Sequence, residues 1–530
     1  MRRLGRGMAA LLFALPLLFL LLFYLYPLEA IVRLSFGFEG AGGEVLRRLL
    51  DPTMQRVIRF TFGQALLSTA LTLIAALPGA AIIARYDFRG KSLFLALTTV
   101  PFVLPTVVVA AAFSALLARF DLRYTLAAIL IAHLFYNEAL VVRMVGGFWA
   151  SLDPALEEAA RTLGASPWRA FREATLPLLM PALGAAALLV FIFCFTSFGV
   201  VLILGGPRFA TMEVEIYRQA IGFADFPLAA ALSLLQIGFT LGATLLYTRM
   251  QARLARPLRL RPRPCSPLPG GWRGRAARAY LLATLLFLAL PPLLLVLRSF
   301  GEGLGYYRAL FLNPRRSIFY VPPVEAVRNS VAFASATMGL ALLLGLLTAL
   351  LLHRRRGSWL LDALFMLPLG TSAVTLGFGY LVAWGKPCCD LRGTATLIVA
   401  AHTLVALPFV VRAILPALQA IRPSLREAAA VLGASPLRRF VEIDLPLIWR
   451  ALAVGALFAF TVSMGEFGAT SLLARPERPT IPIAIYRFLA RPGASNYGQA
   501  MAMSTILMAV CLLAFLLIER LRPPGESSLF

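Results

Sequence analysis

Twelve apolar runs long enough to cross a lipid bilayer recur along this 530-residue chain. A hydrocarbon layer about 30 Å thick needs about 20 consecutive apolar residues in helical form. Helices of this length keep every backbone hydrogen bond within the segment, which lipid demands. We therefore predict an all-α polytopic membrane protein of about 12 transmembrane helices. The runs lie near residues 9–31, 60–84, 93–118, 124–146, 180–205, 228–248, 280–298, 329–352, 360–384, 394–419, 449–474 and 500–519.

The composition excludes a soluble globular protein. Hydrophobic residues make up 60% of the chain and charged residues 14%, against a usual charged share of about 25%. The net charge of +25 comes almost wholly from arginine, and most arginines lie between the apolar runs. Such a pattern is typical of loops beside anionic lipid headgroups. We therefore predict the lipid bilayer as a partner, and no nucleic acid.

The cationic segments indicate the orientation of the chain. Arg2, Arg3 and Arg6 precede the first run and place the N-terminus in the cytoplasm, and twelve runs return the C-terminus to the same side. The segment 249–279 carries nine arginines with Pro and Gly and without an acid, which indicates a cytoplasmic linker. The charge bias supports this orientation only modestly, because arginines also fall in predicted outer loops. These are Arg47, Arg48, Arg315 and Arg316.

The two halves of the chain repeat each other. At an offset of 269 residues they align without a gap from about residue 132 to 218, so that His133 falls on His402 and Phe198 on Phe467. Each half holds an even number of runs, so the repeats share one orientation about an axis along the membrane normal. We predict a first six-span repeat at 1–248, an Arg/Pro-rich linker at 249–279 and a second six-span repeat at 280–530.

One motif occurs in each half, in the predicted cytoplasmic loop before the fifth and the eleventh run. A helical Ala-Ala pair presents a narrow face, a glutamate accepts charge-assisted hydrogen bonds from a basic rim, and a glycine permits a bend between two short helices. A plain amphipathic loop is the alternative, and two copies on one side disfavour it. The copies are Glu158, Ala159, Ala160 and Gly164, and Glu427, Ala428, Ala429 and Gly433.

Both copies resemble the EAA loop of the permeases of ATP-binding-cassette (ABC) importers, in which Leu-Pro, here Leu176-Pro177 and Leu445-Pro446, opens the next span. The resemblance implies the fold of a type I importer permease, in the bacterial inner membrane with both termini cytoplasmic. It implies that the two loops dock as coupling helices on a dimer of separate ATPase subunits. It also implies an extracytoplasmic solute-binding protein as a second partner.

No enzymatic site is predicted in this chain. The segment Gly90-Lys91-Ser92 lacks the upstream glycine of a phosphate-binding loop, because Arg85 stands there. The five cysteines lack metal-ligand spacing, so no metal site is expected. The sequence also lacks the motifs H-E-x-x-H and G-x-S-x-G, so no catalytic residue is expected. ATP would bind the partner subunit, and no cofactor is expected in this chain.

The fused form with two halves resembles the thiamine-importer permeases and the related ferric-iron permeases. The thiamine branch is the closer match, and the ferric branch stays open because it has similar Phe-Gly segments. The resemblance therefore implies a small cationic solute, thiamine in preference to ferric iron. It is carried by residues 195–206, 211–217, 463–468 and 517–521.

Ionisable residues inside the predicted spans are candidates for the translocation path. Glu466 falls in the eleventh run, where a charged group costs about 2.5–3.5 kcal/mol at the bilayer centre, so such a group usually faces a wet cavity. Its repeat equivalent is Ser197, and Glu138 in the fourth run is a further candidate. The alternative for each is an interhelical hydrogen bond, which is also our expectation for His133 and His402.

Two other functions remain as alternatives. A twelve-span secondary transporter would need no ATPase, and it is disfavoured by the paired loops and by the lack of acid/base pairs at matched positions of the repeats. A membrane-embedded enzyme is disfavoured because no catalytic constellation occurs in the sequence.

Overall fold

The structure, a computed structural model, describes residues 6–36, 41–254, 266–312, 321–354, 359–385 and 390–521. Almost all of these residues are helical. The first half contains thirteen α-helices in its described part. They are α1 (Arg6–Leu20), α2 (Tyr26–Phe36), α3 (Ala41–Leu49), α4 (Pro52–Arg85), α5 (Lys91–Val103), α6 (Thr106–Leu117), α7 (Leu126–Ser151), α8 (Ala155–Thr162), α9 (Pro167–Ala170), α10 (Leu176–Phe195), α11 (Phe198–Leu204), α12 (Met212–Tyr217) and α13 (Phe226–Leu254).

The second half follows the same plan, with twelve α-helices in its described part. They are α14 (Gly271–Ser299), α15 (Gly305–Ala309), α16 (Pro323–Arg354), α17 (Trp359–Met366), α18 (Ala373–Ala383), α19 (Ala395–Ala420), α20 (Pro423–Val431), α21 (Pro436–Arg439), α22 (Leu445–Gly465), α23 (Gly468–Leu473), α24 (Ile481–Leu489) and α25 (Ala494–Leu521). Short π-helical turns lie at Leu21–Leu25, Phe171–Thr175, Arg218–Gly222 and Phe440–Asp444, and 3₁₀ turns at Ala118–Phe120 and Leu367–Gly370.

Ten helices in the described part of the chain are long and apolar enough to cross a membrane, and the number is twelve if each of two bent pairs is one span. The prediction of an all-α protein with about 12 spans is therefore confirmed. The bent pairs combine α5 with α6, at 95°, and α17 with α18, at 94°. Each occupies an apolar run that the sequence presents as continuous.

The two bends have local causes. Pro105 has no N–H group and holds Leu104 in an extended conformation, so α5 ends before it. The hydroxyl group of Tyr136 donates to the carbonyl oxygen of Leu104, which α5 leaves without a helical partner. In the second half, the Ser372 hydroxyl accepts the N–H groups of Val374 and Thr375 and starts α18 anew.

The fifth and eleventh runs are broken as well, contrary to the prediction of continuous spans to residues 205 and 474. Helix α10 ends at Phe195 and α22 at Gly465, and Ser197 and Glu466 adopt extended conformations before α11 and α23 begin. Hydropathy does not reveal such breaks, because the residues on both sides of each break are apolar.

The internal repeat is visible in the helices themselves. Helices α7 and α19 have equal lengths and lie 269 residues apart, and the same holds for α9 and α21. Equivalent helices also pack alike, since α4 lies against α7 and α10 just as α16 lies against α19 and α22. The prediction of two parallel repeats is thus confirmed.

The first span of each half packs against the other half. Helix α2 lies against α18, α1 lies against α16, and α14 lies against α6. The hydroxyl group of Tyr24 pairs with that of Thr371 at 2.8 Å, in the bend between α17 and α18. The two halves are therefore interlocked rather than side by side.

The predicted linker is helical at both ends. Helix α13 continues to Leu254 and α14 starts at Gly271, and residues 255–265 lie outside the described residues. Ser266–Pro267 (β2) pairs in parallel with Tyr86–Asp87 (β1), just before the segment that holds Lys91. The Lys91 ammonium donates to the carbonyl oxygens of Ile83 and Tyr86, both at 2.8 Å, so it closes the end of α4.

The structure describes two of the five cysteines. Cys194 and Cys511 are free and buried among helices. Cys265, Cys388 and Cys389 lie outside the described residues.

Candidate functional site

The two motif loops fold alike, and each forms two short helices joined at a glycine. Gly164 and Gly433 take φ values of +86° and +79°, a region that glycine enters without strain. The N–H of Ala165 donates to the carbonyl oxygen of Ala160 at 3.1 Å, which closes the end of α8. The equivalent bond from Ala434 to Ala429, at 2.9 Å, closes α20. Each loop thus ends its first helix with a Schellman-type turn.

A serine starts the second short helix of each loop. The Ser166 hydroxyl accepts the N–H of Arg169 at 3.3 Å, and the Ser435 hydroxyl accepts the N–H of Arg438 at 3.2 Å. Proline follows each serine at the first helical position, where its missing N–H costs nothing. The sequence Gly-Ala-Ser-Pro therefore dictates a helix stop followed by a helix start in both halves.

The motif residues lie on the protein surface. Glu158 and Ala159 in α8 and Glu427 and Ala428 in α20 are exposed, and so are Gly164 and Gly433. Ala160 and Ala429 are half-buried. No ion pair within the described residues engages Glu158 or Glu427. Both glutamates are therefore accessible from solvent.

Large apolar side chains surround the exposed motif residues. Leu163 and Leu432, which are repeat equivalents, are 89% and 86% exposed. Trp168 and Leu437, also equivalents, are 69% and 61% exposed. An isolated exposed leucine is ordinary, but a matched apolar set on two small polar loops is typical of a surface that contacts another protein. We call this set the docking residues.

Ion pairs attach each loop to the membrane helices. These ion pairs were not predicted from the sequence. In the first loop, the buried Glu157 carboxylate accepts from the Arg85 guanidinium with both oxygens at 3.2 Å and from the Thr175 hydroxyl at 3.4 Å. The Arg85 guanidinium also lies over the Trp149 ring, 5.1 Å from its centroid. These contacts join α8 to the end of α4 and to the start of α10.

The second loop is attached by the opposite arrangement of charges. Here Arg426 in α20 donates to Asp444 at 2.7 Å and to His353 Nε2 at 2.9 Å. At the 269-residue offset, Glu157 corresponds to Arg426 and Thr175 to Asp444. A comparison of charge at aligned positions of the repeat is the signal that would have found these pairs.

The structure places Glu466 at the break between α22 and α23, not within a continuous span. Its two carboxylate oxygens accept the N–H groups of Ala469, at 2.8 Å, and Thr470, at 3.0 Å. The Thr470 hydroxyl also donates to it, and His402 Nε2 lies 3.1 Å away. The carboxylate thus caps α23 and is buried. A role in the translocation path stays a prediction.

Ser197 holds the equivalent position in the first half with fewer bonds. Its hydroxyl pairs with His133 Nε2 at 2.9 Å, while His133 Nδ1 pairs with the Ser68 hydroxyl at 2.9 Å. His402 likewise pairs with Ser463 at 2.7 Å. The expected interhelical hydrogen bonding of both histidines is confirmed.

Glu138 lies on the boundary between the halves. Its carboxylate accepts from the hydroxyl groups of Tyr280, at 3.2 Å, and Thr284, at 3.3 Å. Both partners belong to α14, so Glu138 fastens the first span of the second half to α7. Its role in the path also stays a prediction.

The described residues contain no group of three or more His, Cys, Asp or Glu side chains that could hold a metal ion. A small cavity beside the first motif loop is lined by Trp149, Asp153, Glu157, Thr175 and neighbouring apolar residues. Glu157 and Thr175, which help to attach α8 to the membrane helices, are among its lining residues.

Comparison with known proteins gives matches along both halves. The family described as "Binding-protein-dependent transport system inner membrane component" matches residues 76–259 and 341–524. The thiamine transport system permease protein ThiP of Escherichia coli (strain K12) is 27% identical over 504 residues, covering 90% of each chain. The protein of the same name from Brucella abortus (strain 2308) is 28% identical over 534 residues, covering 94% of each chain.

A shorter relative matches one half. The putative 2-aminoethylphosphonate transport system permease protein PhnV of Salmonella typhimurium is 28% identical over 260 residues. The match covers 95% of that protein and 47% of this chain. This shorter protein thus aligns along nearly its whole length with about half of this chain.

Proposed function

The chain belongs to the family of binding-protein-dependent transport system inner membrane components, and from this premise we propose that it is the permease of an ABC importer that moves thiamine into the cell. It is a multi-pass inner-membrane protein. The observation that carries the proposal is the pair of equivalent surface loops, each with an exposed glutamate and exposed apolar side chains. Such loops suit a twofold-related pair of partner subunits.

Energy would come from the partner subunits. Two ATPase subunits would take α8 and α20 in equivalent grooves, with the docking residues buried and Glu158 and Glu427 in charge-assisted hydrogen bonds. Because ion pairs and hydrogen bonds attach the loops to α4 and α16 and to the turns before α10 and α22, a movement of the loops would be transmitted to the membrane helices. ATP would bind those subunits, and this chain would hold no cofactor.

This proposal fixes the orientation of the chain. The motif loops would lie in the cytoplasm, together with both termini and the linker. The helix breaks at Ser197 and Glu466 would then lie nearer the outer surface, where a solute-binding protein would deliver its cargo. The three-part division at residues 248 and 279 is part of the same proposal.

Thiamine is proposed as the cargo because the relatives that match along most of both chains are thiamine permeases by name. The test is ATP hydrolysis by the complex of permease and ATPase in nanodiscs. Addition of a thiamine-loaded binding protein should raise the rate above that with the unloaded protein. Ferric iron, the alternative cargo, serves as the second probe, and stimulation by an iron-loaded binding protein instead of the thiamine-loaded one would overturn the assignment of cargo.

A further inference from the structure

Four aromatic rings contact one another in a row between the two halves; the central pair is stacked, and the outer two rings meet it edge-on or tilted. The Phe198 and Phe467 rings lie 5.3 Å apart between centroids, with an interplanar angle of 28°. The Tyr217 ring lies 5.6 Å from Phe198, and the Tyr486 ring lies 5.6 Å from Phe467. We call these four residues the aromatic stack. Both phenylalanines are buried.

The aromatic stack lies on the axis that relates the halves. Phe198 and Phe467 are equivalent at the 269-residue offset, and so are Tyr217 and Tyr486. Two equivalent residues that contact each other must lie on opposite sides of the axis and next to it. Because a path between two parallel repeats follows this axis, a solute on that path has to pass the two phenylalanine rings.

The helix breaks converge on the same place. Phe198 starts α11 after the first break, and Phe467 precedes α23 after the equivalent break. The segments after the breaks pack closely against α6 and α18. A Cβ atom on Gly199 would fall 2.5 Å from the Thr106 hydroxyl at the start of α6, and one on Gly468 would fall 3.1 Å from Ala373 at the start of α18. In membrane transporters, interrupted helices at matched positions of two repeats mark the solute site.

The aromatic stack lies far from the docking residues. His133, which pairs with Ser197 next to the aromatic stack, is eighteen residues before the end of α7 at Ser151. At about 1.5 Å per residue, this length of helix spans about 27 Å. The aromatic stack therefore lies in the part of the path that is farther from the motif loops, on the side where the solute would arrive.

The backbone on either side of the aromatic stack is held in place, but unequally. Glu466, adjacent to Phe467, is fixed by two backbone N–H groups and by Thr470. Ser197, adjacent to Phe198, has a single hydrogen bond, to His133, among the described contacts. Arg218 and Arg487, which follow the two tyrosines, donate to the carbonyl oxygens of Gly206 and Pro476.

We propose that the aromatic stack is the membrane-embedded solute site in a collapsed state, and that it takes a solute with a flat aromatic ring. When the halves separate, such a ring enters between Phe198 and Phe467 and replaces their mutual contact with two stacking contacts. When no solute is present, the phenylalanines close on each other and seal the path. This inference rests on the proposed transport function, and it adds the place and the chemistry of the site.

The seal is tested by removing both rings. Proteoliposomes that contain the permease with its ATPase subunits are loaded with radiolabelled thiamine and kept without ATP. The double variant Phe198→Ala with Phe467→Ala should release thiamine on the order of tenfold faster than the wild type, because the apolar constriction is open. Retention of thiamine at the wild-type rate by a variant that still binds its ATPase would overturn the proposal.

The ring contact is tested by a change that keeps the seal. The double variant Phe198→Leu with Phe467→Leu retains apolar side chains but no π faces. It should hold trapped thiamine like the wild type and lose about tenfold in ATP-dependent uptake at low thiamine concentration, the size expected for lost stacking contacts. Phe113→Leu is the control, since Phe113 is also buried and its ring contacts Phe135 at 5.2 Å and Phe287 at 6.5 Å rather than the aromatic stack.

The outcomes separate this inference from the proposed function. Unchanged uptake in the leucine double variant, or an equal loss in Phe113→Leu, would overturn the ring contact. If the wild type takes up no thiamine, the proposed cargo is wrong, yet the release of trapped thiamine through the alanine double variant still decides whether the aromatic stack seals the path.

Discussion

Glu157 and Arg426 occupy equivalent positions in the two motif loops and carry opposite charges. Each nevertheless fastens its loop to the equivalent pair of membrane helices in its own half. Glu157 pairs with Arg85 at the end of α4 and with Thr175 before α10. Arg426 pairs with Asp444 before α22 and with His353 near the end of α16. The attachment is therefore maintained in both halves although the polarity of the ion pair is inverted.

This inversion predicts a rescue within the first loop. Glu157→Arg places two guanidinium groups together at Arg85, and we expect the free energy of unfolding in detergent to fall by about 1–3 kcal/mol. Adding Thr175→Asp supplies the partner that Arg426 has in the second loop, so most of the loss should be recovered. Thermal unfolding of the purified variants measures both changes. A double variant no more stable than Glu157→Arg alone would contradict the assignment of the attachment.

Charge reversal at the motif glutamates tests the docking surface. Glu158→Lys together with Glu427→Lys should abolish co-purification of the ATPase subunit while the permease keeps its unfolding temperature, because both carboxylates are exposed. Glu302→Lys is the matched control, an exposed glutamate beyond the far end of α14. Unchanged co-purification in the double variant would count against the docking role of the loops.

The docking residues give a second, independent prediction for this surface. Leu163→Asp with Leu432→Asp leaves the fold intact, because both side chains are almost fully exposed, but places charge where an apolar contact is expected. Loss of a buried leucine contact costs about 1.5–3 kcal/mol, so two such losses should weaken ATPase binding by more than a hundredfold, measured by titration in nanodiscs. ATPase affinity equal to that of the wild type would exclude a buried position for these leucines.

Glu466 is predicted to matter for transport through the break that it caps. In Glu466→Gln, an amide group replaces one of the two oxygens that accept backbone N–H groups, so the start of α23 next to Phe467 is less well held. We expect lower ATP-dependent thiamine uptake. The rate at which trapped thiamine is released is the second readout. Ser197→Ala is the repeat-equivalent control and should have a smaller effect, since it removes a single hydrogen bond. Unaltered uptake in Glu466→Gln would show that Glu466 is not part of the translocation path.

The sequence was sufficient for the parts of the fold that follow from hydropathy and local motifs. Apolar runs predict the number of spans because lipid demands long helices. The glycine of each motif loop predicts the bend between two short helices, since Gly164 and Gly433 can take a positive φ without strain there. Both features are local, so a single sequence contains them.

The breaks and contacts between helices could not be predicted in the same way. Ser197 and Glu466 lie within apolar runs, and hydropathy does not respond to the direction of the backbone. Alignment of the halves paired Phe198 with Phe467, but it did not show that the two rings touch, because contact depends on how the repeats pack. The same holds for Glu138, whose partners Tyr280 and Thr284 come from the other half.

We propose that this chain transports its solute only when a separate ATPase acts on the two motif loops. The most direct test is uptake of radiolabelled thiamine into proteoliposomes that contain the permease, with the thiamine-loaded binding protein outside and ATP inside, prepared with and without the ATPase subunit. We expect uptake in the presence of the ATPase subunit and only background accumulation in its absence. Concentrative uptake by the permease alone would contradict the proposal and would indicate a secondary transporter.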